Sequence, residues 1–211
     1  MELSGKTINF LGDSITQGHG TTGPEKVFHQ LIKAKYNMKH AYNYGLGGTR
    51  IARNLVPSEA YPHHDLTFEL RAEIMERNAE AVVVFGGTND FGHGDAPFGT
   101  PESEDVYTFY GAVKSLVRKL KLDFPDSKLV FITPLHRLTE AQPSNPDSKI
   151  LEDYVNVIRE VCKKNDIHII DLFRINPIDP RDVESMPDGL HPSDKGQSII
   201  ADIVAEELLK L

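Results

Sequence analysis

A serine near the amino end and an aspartate–histidine pair near the carboxyl end are the residues with the most chemistry to offer. Ser14 stands in Gly12-Asp13-Ser14-Ile15-Thr16, directly after the apolar run from Thr7 to Leu11. A serine just past a strand end can expose its hydroxyl to a cleft, yet that hydroxyl is a weak nucleophile near neutral pH. It needs an adjacent base, and the base needs an orienting group. His191 and Asp188 offer a base and an orienter three residues apart, and Pro192 biases His191 toward extended backbone angles. Taken alone, Asp188 reads as a turn former and His191 as a surface residue ahead of a helix.

Attack on an ester carbonyl creates an oxyanion, so preorganised donors belong where that charge develops. The backbone N–H of Ser14 is one candidate. Gly48, closing Gly45-Leu46-Gly47-Gly48, is a second, because glycine lets backbone approach a ligand closely. The side-chain amide of Asn89, presented by Gly86-Gly87-Thr88-Asn89-Asp90, is a third. Each such donor is typically worth about 3 kcal/mol of transition-state stabilisation. Judged separately, either glycine cluster is equally well a tight turn.

Asp13, His93, His136 and Arg137 are candidate substrate-binding residues, with His19 and Asp95 on neighbouring strand-end loops. Arg50 and Arg53 could recognise an anion or form surface ion pairs. A rival chemistry pairs carboxylates among Asp13, Asp90 and Asp188 for glycoside hydrolysis, but leaves Ser14 and Asn89 without a role. Other motif readings fail on single residues. Gln17 stands where a phosphate-cradling loop needs its second glycine, and Arg50 where a dinucleotide fingerprint needs one. Thr16 replaces the last glycine of a Gly-x-Ser-x-Gly elbow. His63, His64 and Asp65 lack a further ligand at zinc spacing, so no metal and no cofactor is expected.

The elements that must position these groups follow from hydrophobic period. Short runs rich in β-branched and aromatic residues occur at 7–11, 81–85, 129–133 and 167–172, with a weaker one at 40–44. Helical spacing runs through Val106, Phe109, Tyr110, Val113, Leu116, Val117 and Leu120, and again through Leu151, Tyr154, Val155, Ile158, Val161 and Cys162. It recurs in Ile200, Ile203, Val204, Leu208 and Leu211 behind Ser193 as N-cap. Val27, Phe28, Leu31 and Ile32 give a shorter helix, and Leu66, Leu70 and Ile74 a weak one. Strand–helix alternation predicts an α/β fold over residues 1–211 as one domain, a parallel sheet with helices on both faces. Ligands of such sheets sit beyond the carboxyl ends of the strands. Ser14, the two glycine clusters and the 188–191 stretch all fall there. In strand order 2-1-3-4-5, the fifth strand lies roughly 14 Å from the first at about 4.8 Å per spacing. The segment 173–188 could span about 50 Å if extended, so His191 can return to Ser14.

Composition narrows the partners. The 211 residues carry a formal net charge of −8, which argues against a nucleic-acid partner. No apolar run approaches the roughly 18 residues of a membrane span. One cysteine, Cys162, excludes an internal disulfide and reads as a core residue. With neither a basic start nor a long apolar stretch at residues 1–5, a cytoplasmic location is expected. Oligomeric state is not legible.

Gly12-Asp13-Ser14, Asn43 with Gly48, Gly87-Thr88-Asn89-Asp90 and Asp188-Gly189-Leu190-His191 together resemble the four blocks of the SGNH (GDSL) hydrolases, in order and across nearly the whole chain. Departures are small: Gly47 stands where the family often has serine, and Ile15 replaces a leucine. The resemblance implies a flavodoxin-like three-layer α/β/α sandwich with a central five-stranded parallel sheet. It also implies Ser14 as nucleophile, Ser14, Gly48 and Asn89 as oxyanion hole, and Asp188 and His191 completing a triad. The expected activity is that of a serine esterase on a small-molecule ester with a short acyl group, including O-acetyl groups on carbohydrate. Lysophospholipid or thioester hydrolysis, and a binding module without catalysis, are the alternatives.

Overall fold

The computed structural model describes residues 1–143 and 145–211. Its strands are β1 (Thr7–Gly12), β2 (His40–Gly45), β3 (Ala81–Phe85), β4 (Lys128–Ile132) and β5 (His168–Ile170). They form one parallel sheet in the order β2-β1-β3-β4-β5. Each strand starts within one residue and ends within two of its expected run; β1 and β3 are buried along their whole length, which favours an unbroken apolar stretch, whereas the edge strand β2 is largely half-buried.

The described residues form eight α-helices, α1 (Ser14–Gln17), α2 (Phe28–Tyr36), α3 (Phe68–Ala72), α4 (Thr88–His93), α5 (Phe109–Asp123), α6 (Leu151–Lys164), α7 (Leu172–Ile175) and α8 (Asp194–Leu209), with short 3-10 turns at Pro24–Lys26 and Pro62–Asp65. Successive strand residues point to opposite faces. On one face Val82 and Val84 pack with Phe109, Leu116, Tyr154 and Ile158 of α5 and α6. On the other Val83 and Phe85 pack with Phe28, Ile32, Ile200 and Val204 of α2 and α8. The result is a three-layer α/β/α sandwich. Ser193 caps α8 as its spacing predicts, its side chain accepting from Gly196 N–H. No helix among the described residues is long and apolar enough to cross a membrane.

The stripe expected at Leu66, Leu70 and Ile74 is not the buried one, and of the three only Leu70 lies within α3. Ile74 is 74% exposed, while Phe68, Ala72 and Met75 enter the core together with Arg71. Arg71 hides the true stripe from a hydrophobic pattern. Val106 likewise precedes α5, which begins only after Thr108 caps it through Gly111 N–H.

Candidate active site

Ser14 opens α1 immediately beyond β1, and Asp13 is the N-cap, its carboxylate accepting from Ile15 N–H at 3.0 Å. The Ser14 Oγ lies 2.9 Å from His191 Nε2. On the far side of that ring, Nδ1 lies 2.7 Å from Asp188 Oδ2. The other carboxylate oxygen accepts the backbone N–H of His191 at 2.7 Å and of Leu190 at 2.9 Å. Partial burial alone would raise the Asp188 pKa, but the N–H and ring of His191 and the N–H of Leu190 outweigh it and hold it at about 2. An ionised Asp188 accepts from Nδ1–H, which leaves the Nε2 lone pair facing the Ser14 hydroxyl. This is the arrangement that lets an imidazole draw off a hydroxyl proton.

Three donors border the same cleft. Gly47 N–H is spent on Gln17 Oε1 at 2.8 Å. Gly48 N–H has no acceptor among the described residues, so of the two neighbouring glycines Gly48 is the one with an amide to offer. Gly48 has φ of +73°, a backbone conformation that favours glycine, and a Cβ there would lie 2.0 Å from His64 Nε2, so that ring would have to shift. Asn89 gives one amide hydrogen to Thr49 O at 3.0 Å and keeps the other. Ser14, Gly48, Asn89 and His191 line a cleft of about 380 Å³, whose remaining wall includes Gln17, His19, Tyr61, His63 and His64.

Buried charge holds this edge in place. Arg71 donates to Gly12 O at 2.8 Å, to Thr49 Oγ1 at 2.8 Å, to Leu66 O at 3.0 Å and to Tyr44 O. It thereby ties the ends of β1 and β2 to the loop bearing Gly48. Burial lowers its pKa to about 10, against the opposing pull of Asp13. Asp90 accepts from Ile51 N–H at 3.1 Å and Ala52 N–H at 2.9 Å, gripping the same loop from α4. Burial raises Asp90 to about 6 and Asp13 to about 7, in each case over the lowering effect of backbone N–H groups and a nearby arginine.

Several candidate residues lie elsewhere. Asp13 is only 2% exposed and faces the protein, so it cannot touch a substrate. His136 is held by Phe173 O at 2.9 Å and by the Glu140 carboxylate at 2.9 Å. Arg137 donates to Thr88 O and Oγ1 at 3.2 and 3.1 Å. Both line a separate cavity of about 420 Å³. His93 flanks the cleft, 5.6 Å from the His64 ring, and burial followed by Arg50 lowers it to about 4. Arg50 is paired with Asp95, and Arg53 with Glu69 at 3.0 Å, which removes both from the anion reading. With Asp13 and Asp90 buried against backbone N–H groups, the paired-carboxylate chemistry loses two of its three acids.

Gln17, Tyr61, His64 and Arg71 were not expected at this site. For Arg71 the signal available was a cation inside an otherwise apolar helical face. For Tyr61 and His64, on the long connection between β2 and α3, the sequence carries no comparable mark.

The profile of the GDSL-like Lipase/Acylhydrolase family matches residues 10–199. A solved structure from Lactobacillus plantarum superposes with a TM-score of 0.82 at 25% identity, covering 98% of both chains. A member of the lipolytic protein G-D-S-L family from Veillonella parvula gives 0.68 at 16% identity over 97% of this chain and 99% of its own. An acetyl xylan esterase gives 0.66 at 21% identity over 95% and 98%. Among curated proteins, the AP-2 complex subunit alpha of Schizosaccharomyces pombe is 23% identical over 195 residues. That alignment takes in 85% of this chain, which spans only 19% of the length of that relative. With four whole strands, the second half of β1 and the strand-end loops inside the matched span, this chain belongs to the GDSL-like lipase/acylhydrolase family.

Proposed function

We propose that this protein is a serine esterase that cleaves short-chain carboxylic esters through an acyl-enzyme. The 2.9 Å contact between Ser14 Oγ and His191 Nε2 carries the reading. His191 takes the Ser14 proton as Oγ bonds to the ester carbonyl carbon. The carbonyl oxygen becomes an oxyanion within reach of the Ser14 and Gly48 N–H groups and the free hydrogen of the Asn89 amide. Collapse of that intermediate breaks the C–O bond, and the alcohol leaves with the proton from His191. Water, deprotonated by the same ring, then releases the acyl group as a carboxylic acid and restores Ser14. Asp188 holds the tautomer and offsets the charge on the imidazolium.

A cleft of about 380 Å³ rimmed by imidazoles suits a small acyl group and a polar leaving group better than a long chain. The acetyl xylan esterase of the same fold points the same way, toward O-acetyl groups on carbohydrate. A fluorophosphonate should label Ser14 and fail to label Ser14→Ala. An unlabelled native protein would favour a binding module without catalysis. Rates on an ester series from acetate to octanoate, beside acetylated sugars, should be highest at the short end. A rate rising through octanoate would favour the lysophospholipase reading instead.

A further inference from the structure

A second imidazole stands beside the one that serves Ser14. The His19 ring lies 4.3 Å from the His191 ring, centroid to centroid, at an interplanar angle of 59°. Its backbone is fixed there. His19 N–H donates to Ser14 O at 2.9 Å, and Gly20 packs so closely that a Cβ would lie 2.9 Å from Pro192 O. Two residues on, Thr22 is bonded to Asp194 through both its N–H and its hydroxyl. The loop 18–22 is thus fastened to the segment 191–194. The His19 ring itself makes no hydrogen bond among the described residues, and its edge is exposed. One ligating atom each from His19, Asp188 and His191 lie within 4.8 Å of one another.

We propose that His19, Asp188 and His191 form a reversible inhibitory site for a zinc-type divalent ion. The reasoning rests on the reading of His191 as the base that serves Ser14. Two imidazoles and a carboxylate, with a fourth position open to water, are a donor set that zinc accepts at about 2.0–2.2 Å. Ligands at that distance in a tetrahedron stand roughly 3.4 Å apart, so Asp188 Oδ2 and His191 Nδ1, now 2.7 Å apart, must open slightly while the His19 nitrogen closes by about an ångström. The exposed His19 side chain can supply that movement. Two nitrogens among three donors disfavour magnesium and calcium, which take oxygen.

Asp188 Oδ2 lies beside Nδ1, across the ring from Ser14, so an ion held by Asp188 takes the Nδ1 position of His191. Bound at Nδ1, it displaces the proton shared with Asp188, and a neutral ring then carries its remaining proton on Nε2. That ring can donate to Ser14 but cannot accept from it. His19 would therefore give the protein a metal-dependent off state without touching the ester itself.

Zinc chloride titrated calorimetrically into the native protein in chelator-free buffer should bind with one-to-one stoichiometry. The same additions should abolish hydrolysis of a short ester, with EDTA restoring it, and magnesium chloride should do neither. His19→Ala should raise both the zinc dissociation constant and the half-inhibitory concentration by at least about 10-fold, taking the ratio of rates with and without zinc within each protein. Equal zinc dissociation constants in the two proteins, or zinc binding without inhibition, would overturn the proposal. Calorimetry reads the metal directly, so a native protein that binds zinc through His19 but hydrolyses no ester would refute the esterase reading and leave the metal site standing.

Discussion

Ser14, Gly48 and Asn89 stand on backbone pinned from beneath by buried charged side chains, whereas Asp188 and His191 stand on a surface turn pinned by its own N–H groups. On the first side Arg71, Asp13 and Asp90 are nearly inaccessible, and burial moves all three away from their ordinary pKa values. On the second side Asp188 is 53% exposed, yet its carboxylate sits far below its ordinary range because three local groups donate to it. Position on one side is bought with desolvated charge, and on the other with short local hydrogen bonds. Substitutions on the two sides should therefore separate rate from stability.

The largest effect expected is on rate alone. Ser14→Ala should lower kcat on the order of 10⁶-fold. Among the described residues the Oγ has a single partner, and the helix cap is Asp13, so the thermal midpoint should move by little. Steady-state kinetics beside a melting curve tests both halves. Retention of full esterase activity would sink the nucleophile assignment.

Asp188→Asn belongs to the exposed side and should again spare stability. An amide in place of the carboxylate favours the wrong tautomer of His191, a loss of about 10⁴-fold in kcat by analogy with serine hydrolase triads. The turn can keep its bonds from Leu190 and His191 N–H to the amide oxygen. A variant that loses more than about 2 kcal/mol of stability would show that this turn is structural after all, and the contrast between the two sides would fail.

Arg71→Met should do the reverse. It takes the guanidinium donors away from the carbonyls of Gly12, Tyr44 and Leu66, of which Gly12 O keeps the Leu46 N–H, and leaves Asp13 without its nearby positive charge. Breaking a buried charged network typically costs about 3–5 kcal/mol, enough to threaten folding. Urea denaturation measures it. A variant as stable as the native protein but inactive would place Arg71 in the chemistry rather than in the frame.

The same division explains what could be read from residue order. Thr7–Leu11 and Ala81–Phe85 are unbroken apolar runs, and a strand buried on both faces leaves that mark. Ser14 and the Gly86–Asp90 stretch were legible because each directly follows such a run, and the other two polar stretches because an open α/β sheet gathers strand ends along one edge. Arg71 was not legible, because a buried guanidinium is recognisable only from the carbonyls it satisfies. The loop after β4 misled for a related reason. His136 and Arg137 lie near the edge as their place in the chain predicts, but Glu140, Phe173 and Thr88 draw their side chains into another cavity. Chain position selects the edge of the sheet; local partners decide which way a side chain turns. Gly48 rather than Gly47 as the free amide likewise depended on where Gln17 points.

Asp13 offers a subtler test of the buried side. Its carboxyl rises from 3.8 to about 7 on folding, with burial the leading cause. Between those values the folded state holds a proton that the unfolded state has released. Stability contributed by this group is therefore full below about pH 4 and is lost as pH climbs toward 7, by at most about 1.4 kcal/mol per pH unit. Asp13→Asn keeps an oxygen for Ile15 N–H and removes the titration. Denaturation midpoints collected from pH 4 to 7 should fall in the native protein relative to the variant. Parallel curves would mean that Asp13 stays ionised beside Arg71.

The smallest effect expected lies where the buried frame reaches the surface of the cleft. Gln17 sits in the last position of α1, and its Oε1 holds Gly47 N–H at 2.8 Å, joining the helix of Ser14 to the loop of Gly48. The bond is exposed, so its net worth is about 1 kcal/mol. Gln17→Ala should leave the melting temperature almost unchanged. It should lower kcat by roughly 5- to 10-fold with KM held, because a freed Gly47 lets Gly48 wander from where charge develops and only the transition state feels it. Should KM rise instead while kcat stays, Gln17 contacts the bound ester, and that wall of the cleft selects substrate rather than positioning a donor.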